Sequence, residues 1–140
     1  MLNLLLTILT YVDLRATWQA DAMKDSQMLQ DTQLQSSNEQ TQIMQQQTNE
    51  EALVQLELEG SEDSVSTEQY TAVLQKMSEI ASKYETKLQN LMAKTQAKER
   101  EIEQRITARE PKIKAVDADI ESLQETLDKS TEEQFTYMQS

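Results

Sequence analysis

The stretch EGSEDSVSTEQY, residues 59–70, holds the only glycine of the chain and its one place to reverse direction. Gly60 follows the last apolar residue of a long helix-forming run, where a glycine in the left-handed conformation closes a helix. Ser66 stands three residues before Gln69, the capping-box spacing that opens a new helix, and Ser64 is a nearby rival for the cap. The flanking sequence offers no second reversal. One Gly and one Pro in 140 residues are too few for the turns of a globule, while Ala, Glu, Lys, Gln, Leu and Met are good helix formers. The expected fold is all-α, a long antiparallel two-helix hairpin of coiled-coil character. Residues 1–58 form an N-terminal helix with an apolar tip, 59–66 the connector and 67–140 a long C-terminal helix. At about 1.5 Å per residue the arms reach roughly 85 and 110 Å.

In the first helix Leu2, Leu5, Leu9, Val12, Ala16, Ala20 and Met23 fall at steps of three and four, a helical stripe. It fades from Lys24 to Glu50, where nine of twenty-seven residues are Gln, and revives at Ala52, Leu53, Val54, Leu56 and Leu58. The run QMLQDTQLQSSNEQTQIMQQQ, residues 27–47, has no Gly or Pro and reads as a helix that orders on assembly, with a disordered linker as the rival. The second helix carries a more regular seam. It comprises Val73, Met77, Ile80, Tyr84, Leu88, Leu91, Thr95, Lys98, Ile102, Ile106, Arg109, Ile113, Val116, Ile120, Leu123 and Leu127. A mean spacing between 3.5 and 3.6 suits a straight or gently left-handed pairing. Pro111 removes a hydrogen bond inside that helix, so a kink or short break is expected there, with the helix resuming.

The first fourteen residues, MLNLLLTILTYVDL, contain no basic side chain. A signal peptide needs a positive leading segment, whereas Arg15 follows the apolar run. Fourteen helical residues reach about 21 Å against about 30 Å of hydrocarbon, and Asp13, Arg15 and Asp21 block an extension. The segment is therefore expected to pack against protein, and a membrane is not the expected partner.

The formal charge of -12 and pI near 4.4 disfavour nucleic acid, which is bound by Lys and Arg. Residues 94–114 run against that trend. Lys94, Lys98, Arg100, Arg105, Arg109, Lys112 and Lys114 face only Glu99, Glu101, Glu103 and Glu110. Such a stretch is either an exposed face paired at i, i+4 or a surface for the acidic first helix of a neighbouring copy or a channel lining. Lys98 and Arg109 sit in the expected seam, where polar residues specify register and partner.

No chemistry is legible. The chain has no Cys and no His, so the usual zinc ligand sets and an activated Ser are missing. One glycine cannot build a phosphate loop. Glu99, Glu101 and Glu103, like Asp117, Asp119 and Glu121, are two apart and point to different helix faces. The chain is not expected to be an enzyme, to hold a cofactor or metal, or to take a small-molecule substrate.

A hairpin buries one stripe per helix, which leaves the leucine tip bare. Leu2, Leu5, Leu9, Val12, Trp18, Ile120, Leu123, Leu127, Phe135 and Tyr137 are the expected self-association residues. Trp18, Phe135 and Tyr137 are expected to join Leu4, Ile8 and Tyr11 in one terminal apolar cluster. The string ILTYVDLRATWQADAMKDSQ, residues 8–27, resembles the translocator-filament proteins of type III secretion systems, of the EspA type. The residues that carry the likeness are Ile8, Leu9, Tyr11, Asp13, Leu14, Ala20 and Asp21. The resemblance implies a secreted, extracellular, hollow filament built from paired helices, with a secretion chaperone as a further partner. Two rivals stand beside that homo-oligomeric filament: a cytoplasmic coiled-coil adaptor of a secretion or export apparatus, and a coiled coil tethered to a membrane by its first residues.

Overall fold

A computed structural model describes residues 2–59 and 66–139. Two helices account for them: α1, Leu2–Glu59, and α2, Thr67–Gln139. They pack against each other as an all-α hairpin, with no strand among the described residues. The polar run 27–47 is helix throughout, and the linker alternative is discarded. The start of α2 follows the capping box. The Gln69 amide donates to Ser66 Oγ at 3.2 Å and the Ser66 amide donates to Gln69 Oε1 at 3.3 Å, which satisfies two otherwise unpaired helix-end donors. The proposed Gly60 stop and the rival cap Ser64 lie outside the described residues.

Pro111 does not break α2, which runs through it without interruption. Neighbouring turns on both sides of it are held by the seam residues Arg109 and Ile113, and that tertiary hold outweighs one missing hydrogen bond.

The chain divides into two compact units: Met1–Leu29 with Glu101–Ser140, and Gln30–Arg100. In the first, the antiparallel register is marked by Arg15 facing Asp117 and Asp25 facing Arg109. Buried and half-buried positions on α1 recur every seven residues, as Leu4, Tyr11, Trp18 and Asp25, and as Ile8, Arg15, Ala22 and Leu29. On α2 they are Ile102, Arg109, Val116, Leu123 and Ser130, and Ile106, Ile113, Ile120 and Leu127. A seven-residue repeat underwinds the helix to 3.5 residues per turn and winds the pair left-handedly. The best-buried apolar side chains here are Ile8, Ile102, Val116 and Ile120.

The second unit keeps a different count. Its α1 positions are Thr32, Ser36 and Glu39, then Ile43, Gln47 and Glu50, then Val54 and Leu58, a repeat of eleven. Its α2 positions repeat likewise: Val73, Met77 and Ile80, then Tyr84, Leu88 and Leu91, then Thr95 and Glu99. Eleven residues over three turns give 3.67 per turn, slightly beyond the natural 3.6, so this pair is nearly straight or faintly right-handed. The change of count corrects one expected seam residue. Lys98 is exposed and Glu99 takes its place, because a spacing of four follows Thr95 where a heptad asks for three. Antiparallel register is marked by Glu57 with Lys76, Glu50 with Lys83, and Ser36 with Thr95.

Candidate self-association surface

On the first half of α1, five of the seam residues are followed by an apolar one that lies further out. Leu5 follows Leu4, Leu9 follows Ile8, Val12 follows Tyr11, Ala16 follows Arg15 and Met23 follows Ala22. One residue is a rotation of about 100°, so α1 carries two stripes side by side. The inward stripe contains Arg15 and Asp25; the outward one is the more apolar. The Leu2–Met23 stripe that dominates the sequence therefore faces away from α2. Leu2 is 70% exposed, Leu5 42%, Leu9 58% and Met23 67%, while Val12 is half-buried. Leu6, beside them, is 54% exposed. Sequence reasoning missed Leu6 because Leu5 already filled that step of the stripe, although Leu6 also stands four residues after Leu2 and three before Leu9.

The other expected self-association residues are split. Ile120 is buried within the hairpin, and Trp18, Leu123 and Leu127 are half-buried on the same seam. They pack in the seam of a single copy, Ile120 with little surface left and the other three in part. Phe135 and Tyr137 are exposed, together with Met138. The expected terminal cluster does not form. Phe135 lies eighteen residues past Asp117 on α2, about 27 Å along the helix, whereas Trp18 sits on the opposite side of Arg15, the partner of Asp117. Helix length separates what the reversal brings to one end.

Charges in this first unit serve the fold. Asp25 is 5% exposed and accepts a hydrogen bond from Arg109, whose side chain is 20% exposed. A buried carboxylate needs such a partner, since desolvation of an isolated charge is costly. Arg15 and Asp117 meet at 3.1 Å on a more open edge, an exposed pair of small energetic weight. Of the basic stretch, Arg105 pairs with Glu101 four residues back. Lys94, Lys98, Arg100, Lys112 and Lys114 are exposed, and no ion pair among the described residues includes them.

The second unit holds one polar knot. Tyr84 is 1% exposed, yet its hydroxyl donates to the Glu50 carboxylate, which also accepts from Lys83 at 3.2 Å. The Tyr84 hydrogen bond, then that of Lys83, holds the Glu50 carboxyl below its usual value of 4.5. The same bond to Glu50, then burial, raises the Tyr84 phenol above 10.0. Ammonium groups of Lys83 and Lys87 stand 5.3 and 4.8 Å from the Tyr84 ring centre, within cation–π range. Further along, Thr95 donates to Ser36 at 3.0 Å beside a cavity of about 90 Å³ bordered by Thr32, Lys94 and Lys98. That volume and its polar walls suit a few water molecules.

No cluster of three potential metal ligands exists among the described residues. No helix among them is long and apolar enough to cross a membrane. The apolar surface of α1 is what remains to be explained. Compared with known protein families, characterised proteins and solved structures, the chain matches none.

Proposed function

We propose that the chain is a structural subunit that assembles with copies of itself into a filament, with the outward leucine stripe of α1 buried between subunits. The observation that carries this reading is the exposure of Leu2, Leu5, Leu6 and Leu9 on one hairpin arm, in a segment without a charge before Asp13. Contiguous exposed apolar side chains of this size mark an interaction surface. A hairpin of this composition gains most of its remaining stabilisation from what covers that surface.

Growth beyond a pair needs a second contact. The second unit supplies a candidate, with Leu53 at 64% and Leu56 at 57% exposed on α1, and Tyr70 at 54% and Leu74 at 52% on α2. Two distinct self-complementary patches on one subunit propagate an open chain, whereas one alone closes into a dimer. The likeness of residues 8–27 to the EspA-type filament proteins favours an extracellular polymer. It also favours a secretion chaperone that covers the stripe before assembly. Metal, cofactor, small-molecule substrate and nucleic acid have no role in this reading.

Replacing Leu5 and Leu9 together with Asp tests it. Purified wild-type chain grows in mass with concentration by light scattering and forms long polymers in negative stain; the double variant stays in short, soluble species. A wild-type particle of fixed mass at all concentrations favours the cytoplasmic adaptor instead. Solubility that depends on detergent favours the membrane tether. Polymers of unchanged length from the double variant refute the assignment of the stripe.

A further inference from the structure

The outward stripe of α1 is itself a coiled-coil seam. Leu2, Leu9, Ala16 and Met23 recur every seven residues, and so do Leu5 and Val12. A surface helix of a simple hairpin needs one seam, facing its own partner. A second seven-residue seam, rotated by one residue from the first, asks for another helix alongside. We infer that this helix is α1 of a second copy, lying antiparallel, so that two hairpins join through their first units into a four-helix junction. The inference rests on the self-assembly reading above and adds the direction and register of the neighbour.

Size decides the direction. The stripe is large at its start, with Leu2, Leu5 and Leu9, and small further on, with Val12, Ala16 and Ala20. Parallel copies set Leu against Leu at one end and Ala against Ala at the other. Interaxial distance follows side-chain size over about 8–10 Å, so such a pair has to splay. Antiparallel copies set large against small from Leu5 to Ala16, and Leu2 then meets Gln19. Alternation of the two heptad positions across an antiparallel pair places Leu5 against Ala16 and Leu9 against Val12 of the second copy, with the two-fold axis between Thr10 and Tyr11. Helix dipoles also oppose one another in this arrangement.

The stripe is therefore complementary to itself on one helix, which is why a second copy fits it. Its exposed side chains offer on the order of 500 Å² per copy, so the pair buries on the order of 1,000 Å², the floor for a specific interface. Association through this surface alone is accordingly weak and visible by dilution.

The chain has no cysteine, so single-cysteine variants report the geometry directly. Leu5→Cys and Ala16→Cys chains of different tagged mass are mixed, oxidised and separated on a denaturing gel. Antiparallel packing brings the two positions within the roughly 4.4–6.8 Å between Cα atoms that a disulfide requires. Like positions are then eleven residues out of register, about 16 Å apart. The expected result is the mixed-mass dimer, with little of either like-with-like dimer. Preferential Ala16→Cys to Ala16→Cys coupling overturns the inference and leaves self-assembly standing. A sedimenting monomer at every concentration sinks both. The second variant, Ala16→Leu, over-packs the antiparallel layer and raises the dimer dissociation constant about tenfold. An unchanged or lowered constant contradicts the assigned register.

Discussion

Replacing Asp25 with Ala removes the one buried carboxylate among the described residues and strands Arg109, whose side chain is 20% exposed. Deleting one partner of a buried ion pair costs about 3–5 kcal/mol, because the other charge stays desolvated. Arg109 retains some access to water, which brings the cost to or just below the bottom of that range, about 2–3 kcal/mol. For a domain of this size that is a fall in Tm of about 6–12 °C. The variant Asp25→Leu with Arg109→Leu removes both charges and fills two seam positions of the seven-residue repeat. It is expected to be neutral or more stable by about 1–4 kcal/mol. Both are measured by circular dichroism during thermal and urea unfolding, in dilute solution so that self-association does not contribute. Asp117→Ala, which breaks the open Arg15 pair, is the control and costs below about 1 kcal/mol. If Asp25→Ala and Asp117→Ala lose the same small amount, the buried pair is not an energetic feature of the seam and the reasoning fails.

Pro111→Ala is expected to stabilise the chain by about 2–3 kcal/mol, since the exposed position lies inside an unbroken helix and proline costs about 3 kcal/mol there relative to alanine. A lower urea midpoint in that variant contradicts a continuous α2. Tyr84→Phe is expected to alter the pH profile of stability at both ends. The phenol is raised above 10.0 by Glu50, so its contribution is complete below that value and is lost as pH rises through the folded one. The carboxyl is lowered from 4.5, so its contribution is present above that value and is lost as pH falls through the folded one. Phe at residue 84 flattens the alkaline loss and shrinks the acid one; melting curves that parallel the wild type across both ranges refute the Tyr84–Glu50 bond.

Much of the fold was legible because the chain has so few ways to turn. Ser66 and Gln69 marked the start of α2, and the bond pair between them is the reason the position was readable. Ile120, Leu123 and Leu127 were legible as seam residues, while how far each is buried within one hairpin was not, since that depends on the partner helix. Lys98 misled for a related reason. Counting in sevens continues past Thr95, while the second unit counts in elevens on both helices, and apolar spacing alone cannot separate 3.5 from 3.67 over so short a run. Pro111 suggested a break because its local cost is known; the packed turns on either side were not visible in the string.

Length, composition and the single turn signal determined that the protein is two long helices, because backbone hydrogen bonding and turn chemistry are local. Which stripe of α1 meets α2 was a tertiary decision. The more apolar stripe, led by Leu2, Leu5 and Leu9, points outward, and the seam takes the neighbouring one, with Arg15 and Asp25. Only that choice lets Asp117 and Arg109 meet opposite charges across the hairpin, and it leaves the leucines exposed.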